Sequence, residues 1–269
     1  MKILALDYDG VIADSQLECL AVGFNAYLRL NKNTKLFNKE RFTFGNFNKL
    51  IKNTQKSKIF GTNSAGNKKI VNEYKRLRPY VVDAFCYYVM LRIIENNIRI
   101  KNQNEYNKIR NKLINCYHKY VNYFYNERYA FQKNYGRYLK FISPYNITNS
   151  IKKLSKKYII TIATNNNEKS IKGFLKKNKI PVRAIADSSI STNKVKQIEF
   201  IKNSYNAEFS DIYFVDDQVS HFPEIIKLGV NCFLATWGYN NKEQRKMAKR
   251  IGVGLLSEKD FYKKLVINK

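Results

Sequence analysis

From residue 158 onward the chain alternates short β-branched or aromatic runs with helical stretches, and this alternation constrains the fold more than any other feature. Residues 158–163, 181–186, 212–215, 230–235 and 253–256 read as strands. Residues 168–178, 196–205, 222–228, 242–251 and 259–265 read as helices between and after them. Such a pattern builds a parallel sheet with helices on both faces. One further apolar run, Ile3-Leu4-Ala5-Leu6, stands alone at the N-terminus. With no sheet context of its own, it most simply joins the later strands. The chain between is then an insertion. From about Gln16 to Lys140 its pattern is almost entirely helical: Leu17, Leu20, Ala21, Phe24, Tyr27 and Leu28 recur at helical spacing, as do Val81, Val82, Phe85, Tyr88, Val89 and Ile93. A third helix is expected from Glu105 to about Tyr125, and the stretch Gly61-Thr62-Asn63-Ser64-Ala65-Gly66 reads as loop.

The expected architecture is therefore α/β: a doubly wound parallel sheet core with an inserted α-helical cap. Residues 1–16 and 141–269 make the core, and 17–140 the cap. Ligands of such sheets bind at the carboxyl edge of the strands. The polar residues just after each strand are accordingly the candidates for chemistry. The first strand delivers Asp7 and Asp9, two residues apart and so pointing the same way, with Gly10 behind them. One carboxylate can attack an electrophile while its neighbour moves a proton. The run ending at Ala163 delivers Thr164, then Asn165, Asn166 and Asn167. Lys194 lies just before a helix, with Lys196 as the alternative, and the run ending at Val215 delivers Asp216 and Asp217. Clustered carboxylates call for a hard cation, and Mg²⁺ accepts them while leaving room for a phosphate oxygen. Thr164 and nearby backbone N–H groups can bond phosphoryl oxygens, and Lys194 adds a fixed positive charge that also keeps a nucleophilic carboxylate ionised. Phosphoryl transfer rests mostly on such positioning and charge neutralisation.

In order and placement these residues resemble the four motifs of the haloacid dehalogenase superfamily, and within it the phosphoglycolate phosphatase-like Asp phosphatases with a helical cap after the first strand. Asp7-Tyr8-Asp9-Gly10-Val11-Ile12-Ala13-Asp14-Ser15 fits the first motif, Thr164 the second, Lys194 the third and Asp216-Asp217 the fourth. Leu228-Gly229-Val230 and Thr236-Trp237-Gly238-Tyr239 resemble the segments that follow. The resemblance implies that Asp7 is the nucleophile and becomes phosphorylated, and that Asp9 protonates the leaving oxygen and then activates water. It implies that the Asp7 carboxylate, the Asp9 backbone carbonyl and Asp216 or Asp217 hold Mg²⁺, and that Thr164, Asn165 and Lys194 bind the substrate phosphate. Dehalogenases and phosphonatases of the superfamily lack an acid at the place of Asp9, so the resemblance points to phosphate ester hydrolysis. Four residues after Asp217, where the family often has a further acid, this chain has His221, read either as a partner of the site or as an exposed helix-start residue.

The expected substrate is a small phosphorylated metabolite. A nucleotide or nucleic-acid-end phosphatase, a phosphomutase and a non-catalytic phosphate binder remain alternatives. Net charge is +28. It reads either as compositional drift of a Lys-, Asn-, Ile- and Tyr-rich chain or as a sign of a polyanionic partner such as nucleic acid, and drift is the favoured reading. Arg76, Arg78, Arg128 and Arg137 could clamp a distal anion or be solvated surface charge, and the tyrosine-rich run 117–138 could stack on a ligand or form a packed helix face. Cys19, Cys86, Cys116 and Cys232 are scattered without a CxxC pair, which excludes ordinary structural zinc and leaves reduced thiols as the expectation. No signal peptide and no membrane-length apolar run is visible, so a cytoplasmic protein without a membrane partner is expected.

Overall fold

The computed structural model describes residues 1–52 and 66–267. The loop expected at 61–65 lies outside them. In chain order the elements begin with β1 (Ile3–Leu6), β2 (Ala13–Asp14) and α1 (Gln16–Leu30), then α2 (Phe47–Lys52) and α3 (Asn67–Leu77). Next come α4 (Phe85–Glu95), α5 (Gln103–Lys112), α6 (Tyr117–Gln132), α7 (Tyr135–Tyr138) and β3 (Ser143–Pro144). The rest alternates: α8 (Thr148–Leu154), β4 (Ile159–Ala163), α9 (Glu168–Lys177), β5 (Ala184–Ala186), α10 (Lys194–Ser204) and β6 (Ile212–Asp216). It ends with α11 (Phe222–Lys227), β7 (Asn231–Ala235), α12 (Lys242–Arg250), β8 (Gly254–Leu256) and α13 (Phe261–Ile267). The chain forms two compact units, 1–15 with 143–269, and 16–142.

In the α/β unit six strands form a parallel sheet in the order β5-β4-β1-β6-β7-β8. The lone N-terminal run is thus the inner strand. Ile3 to Leu6 pair with Ile159 to Ile162 on one side and with Ile212 to Val215 on the other. All four residues of β1 are fully buried, as a strand covered on both faces requires. Ile3 and Ala5 share a core with Phe214, Leu234 and, from the helices, Ile198, Ile201, Phe222 and Ile225. The order of strands reverses at β1: the chain proceeds outward through β4 and β5, then crosses over to β6, β7 and β8. That reversal is where the carboxyl edge opens a crevice. Local signals agree with the elements. Asn167, Asn193 and Asn241 cap α9, α10 and α12 with their side chains, the last in a full capping box with Gln244. The strand expected at 181–186 is shorter, Ala184–Ala186, because Pro181 supplies no donor to the ladder. The chain leaves and re-enters this unit through an antiparallel pair, Ala13 with Pro144 and Asp14 with Ser143.

The helical unit has an aromatic core. Tyr27, Tyr88, Tyr120, Phe85, Tyr87 and Phe124 are buried from α1, α4 and α6, with ring centroids 5.2 Å apart for Tyr88 and Tyr120 and 5.3 Å for Tyr87 and Phe124. Two helix expectations need correction. The second helix starts at Phe85 rather than Val81, and Val82 is exposed; the 3-10 turn Arg78–Tyr80 precedes it, and Val81 is extended. The single helix expected over 105–125 is two, α5 and α6, parted by a 3-10 turn at Ile114–Cys116. Its tyrosines anchor to different elements: the Tyr106 hydroxyl donates to the Cys86 carbonyl in α4, and the Tyr120 hydroxyl to the Gly23 carbonyl in α1. The run 117–138 is largely a packed face, with Tyr120, Phe124, Phe131 and Tyr138 buried. Arg78 and Arg128 are buried too, not solvated; Arg128 is bidentate to Glu18 at 2.9 Å through both contacts. All four cysteines are free thiols. Among the described residues no helix is long and apolar enough to cross a membrane.

Candidate active site

Asp7 follows β1 and extends its ladder, its N–H donating to the Val215 carbonyl at 2.9 Å. The chain then turns back sharply. The Tyr8 carbonyl accepts from the N–H groups of both Ile12 and Ala13, and the Gly10 N–H donates to the Ala13 carbonyl. Gly10 sits at φ +79°, and a Cβ there would lie 2.3 Å from an Asp217 carboxylate oxygen. Both conformation and space therefore demand glycine. Gly238 closes the other side: its Cβ would fall 2.3 Å from the Gly10 carbonyl oxygen and 2.4 Å from the Asp217 Cβ. Asp217 is seated between two backbone surfaces that only glycines make.

Asp7, Asp216 and Asp217 are buried and present carboxylate oxygens within 4.8 Å of one another. The Lys194 Nζ donates to Asp7 Oδ1 at 2.9 Å and to the Ala163 carbonyl at 2.5 Å, and lies 3.8 Å from Asp216 Oδ2. Lys194 is buried, whereas Lys196 is exposed on the helix, so Lys194 is the lysine of this cluster. Burial works against its charge, but Asp7 and Asp216 outweigh it and hold its pKa above the ordinary value. Asp7 is pushed up to about 6, first by burial; Asp216 and Asp9 add to the rise and Lys194 opposes it. For Asp216 burial is again the largest influence, and is outweighed by His221, Lys194 and the Gln218 N–H, which lower its pKa. Its Oδ1 accepts from Gln218 N–H and its Oδ2 meets His221 Nδ1, each at 2.8 Å. His221 is therefore a partner of the cluster and not a bystander at the helix start.

Asp9 is half-buried and its side chain is not in the three-acid group. Its two oxygens accept from the Ser15 hydroxyl and the Asn166 amide. Thr164 is buried at the end of β4, where its hydroxyl accepts from Asn166 N–H at 3.1 Å. Asn165 is exposed. Gln197 of α10 holds this loop from beneath, donating to the carbonyls of Thr164 and Ser191 at 2.8 and 2.6 Å. The edge thus brings together Asp7, Lys194, Asp216 and Asp217. Asn166 links the Asp9 carboxylate to Thr164.

Tyr239 is the residue whose role the sequence did not disclose. Its N–H donates to Asp217 Oδ2 at 2.6 Å, and its hydroxyl accepts from Ser15 N–H and donates to Asp14 Oδ1, both at 2.9 Å. One buried residue, through its backbone N–H at one end and its hydroxyl at the other, therefore ties Asp217 to the segment that carries Asp9's partner. Its only sequence signal was its place after Thr236-Trp237-Gly238. Ser15, just before α1, gives its hydroxyl to the Asp9 carboxylate.

No family model matches the chain, and no curated protein matches it by sequence. Solved structures match it over nearly the whole length. A predicted phosphatase from Clostridium acetobutylicum is 15% identical, with a TM-score of 0.56 and 98% of each chain covered. A haloacid dehalogenase-like family hydrolase from Streptococcus pneumoniae is 11% identical, with a TM-score of 0.58, covering 100% of this chain and 99% of its own. A predicted phosphoglycolate phosphatase from Haemophilus somnus is 14% identical, with a TM-score of 0.57 and 98% of each covered. The fold is haloacid dehalogenase-like, with a helical insertion. At these identities the likeness speaks for architecture, and the case for chemistry rests on the cluster itself.

That cluster fits a hard divalent cation. Its donors are all oxygens, and three buried acids face one buried ammonium, leaving negative charge for a cation to balance.

Proposed function

We propose that the α/β unit hydrolyses phosphate monoesters of small metabolites by phosphoryl transfer through Asp7. The observation that carries this reading is the buried group Asp7, Asp216 and Asp217 with the Lys194 ammonium on Asp7, at the strand-order reversal of the sheet. Buried acids at such a cost in solvation are hard to account for as scaffold. Mg²⁺, held by the Asp7 carboxylate, the Asp9 backbone carbonyl and Asp217 with Asp216, would supply positive charge to the phosphoryl oxygens when bound.

The chain's own residues then divide the work. An Asp7 carboxylate oxygen attacks phosphorus while the ester P–O bond breaks. Asp9, steadied by Ser15 and Asn166, gives its proton to the departing alkoxide oxygen. Asp9 next takes a proton from water as that water attacks the phosphorus of the aspartyl phosphate. The P–O bond to Asp7 breaks, and phosphate and the free carboxylate are restored. Thr164 and Asn165 bind the phosphoryl group, and Lys194 keeps Asp7 aligned and favours its ionised form. His221 and Gln218 hold Asp216 in place. Phosphate release from a panel of sugar phosphates, phosphoglycolate and nucleotides tests this reading. Mg²⁺-dependent release lost in Asp7→Asn supports it. Release that survives Asp7→Asn or chelation overturns it.

A further inference from the structure

The charge of the helical unit is sorted by depth. Between Gln16 and Ile142 the chain has twenty-five lysines and arginines against seven acids. Six of those acids are wholly or partly buried, and Glu40 is the one exposed. Arginines take up five of the six: Arg128 pairs with Glu18, Arg76 with Glu73, Arg110 with Asp83, Arg92 with Glu95, and Arg29 and Arg41 with Glu127. Glu105 accepts from the Lys101 N–H. The negative charge is thus drawn inward, while among the described residues of the unit every lysine but Lys69 is exposed. Compositional drift explains abundant lysine but not this partition, since drift has no reason to expose cations and bury acids.

One face of the unit adds aromatic surface. Along α6, Tyr125 and Tyr129 are 41% and 56% exposed. They lie four residues apart, one above the other on the helix. Lys119 and Lys133 are exposed before and after them. Round the helix from them, on the side of the buried Phe131, Arg137 and Lys140 line a separate cleft of about 330 Å³ with Phe44, Phe47 and Phe141. Among the described residues, the other exposed large apolar side chains of the unit, Val82, Ile98 and Ile114, lie in separate connections and a 3-10 turn and offer no apolar wedge of the kind a membrane surface takes up.

We propose that this face binds single-stranded nucleic acid, with bases stacked on Tyr125 and Tyr129 and backbone phosphates neutralised by Lys119 and Lys133. Stacking rings among dispersed cations is how proteins hold single strands without reading sequence. The proposal does not depend on the phosphatase reading, and its test separates the two.

The test is fluorescence anisotropy with 5′-hydroxyl oligo(dT) and oligo(rU), which carry no phosphate monoester, in chelator and over a range of salt. The wild-type chain is expected to bind, more weakly as salt rises. Tyr125→Ala with Tyr129→Ala is expected to weaken binding roughly tenfold or more, and Phe at both positions to restore it. Lys119→Gln with Lys133→Gln is expected to flatten the plot of log affinity against log salt by about 0.7 per lost contact. Lys176→Gln with Lys177→Gln, exposed on α9 of the other unit, removes the same charge and is expected to leave binding within about twofold. Circular dichroism checks that each variant folds, and phosphate-ester turnover is expected to be unchanged in all of them. Equal weakening by the α9 pair with no effect of the tyrosines would mean diffuse attraction and overturn the proposal. So would binding to phosphatidylserine vesicles but to neither oligonucleotide, or no binding at low salt.

Discussion

At Asp7 burial and charge act in opposite directions, and the balance makes measurable predictions. An ordinary aspartate titrates near 3.8, whereas here the carboxyl is pushed up to about 6. A carboxyl with a raised folded-state pKa binds more protons folded than unfolded. Stability of the metal-free chain therefore falls as pH rises from about 4 to 6, and the loss is complete above that window. Asp7→Asn is expected to raise the thermal midpoint at pH 7.5 in chelator, with the gain vanishing toward pH 4. Thermal melts across pH check this; a destabilised variant at pH 7.5 would contradict it. Asp9 belongs to the proton-transfer step, so Asp9→Asn is expected to lower kcat about 10²–10⁴-fold on alkyl phosphates. On p-nitrophenyl phosphate, whose leaving group needs little protonation, the initial burst of p-nitrophenol should persist while steady turnover, which still needs Asp9 as the base, falls. Gly10→Ala places a methyl group against the Asp217 carboxylate, so calorimetry should show divalent-cation binding abolished. The placement of Asp7, Asp216, Asp217 and Lys194 at one edge of the sheet was legible in the sequence because each lies directly after an apolar run or at the start of a helix. Tyr239 and Gln197 were not, since a residue that acts by holding another's side chain or carbonyl leaves no spacing signal.

Among the elements, the strands were read best because each is a short, uniformly apolar run bounded by polar residues, and β1 could be assigned to the later sheet for want of any nearer partner. Helices of the insertion were read less well. Their aromatic residues face in more than one direction, so periodicity continued across the break at Ile114–Cys116. The buried Arg128–Glu18 pair shows the same limit, for a charge pattern cannot say which ions lie inside. Two hydrogen bonds of 2.9 Å, the Tyr138 hydroxyl and the Phe124 ring surround it. Removing one ion strands the other, and Arg128→Met is expected to cost about 3–5 kcal/mol. The double change Glu18→Met with Arg128→Met is expected to recover most of that loss. Urea denaturation of the three variants provides the cycle; equal losses in single and double variants would contradict it.

For the molecule as a whole, the sheet and the acid cluster form one linked system. A cation that binds the folded α/β unit and not the unfolded chain stabilises it by mass action, about 2.7 kcal/mol at a hundredfold excess over Kd. Mg²⁺ should therefore raise the thermal midpoint of the wild type and leave that of Asp217→Ala unmoved. The central claim is chemical, that Asp7 itself carries the phosphoryl group. Borohydride reduces an acyl phosphate to an alcohol, so quenching turnover with borohydride and mapping peptides by mass spectrometry reads the nucleophile directly. The account predicts homoserine at position 7, present only with substrate and Mg²⁺ together. Turnover without homoserine at position 7, or with the label at another acid, would contradict it.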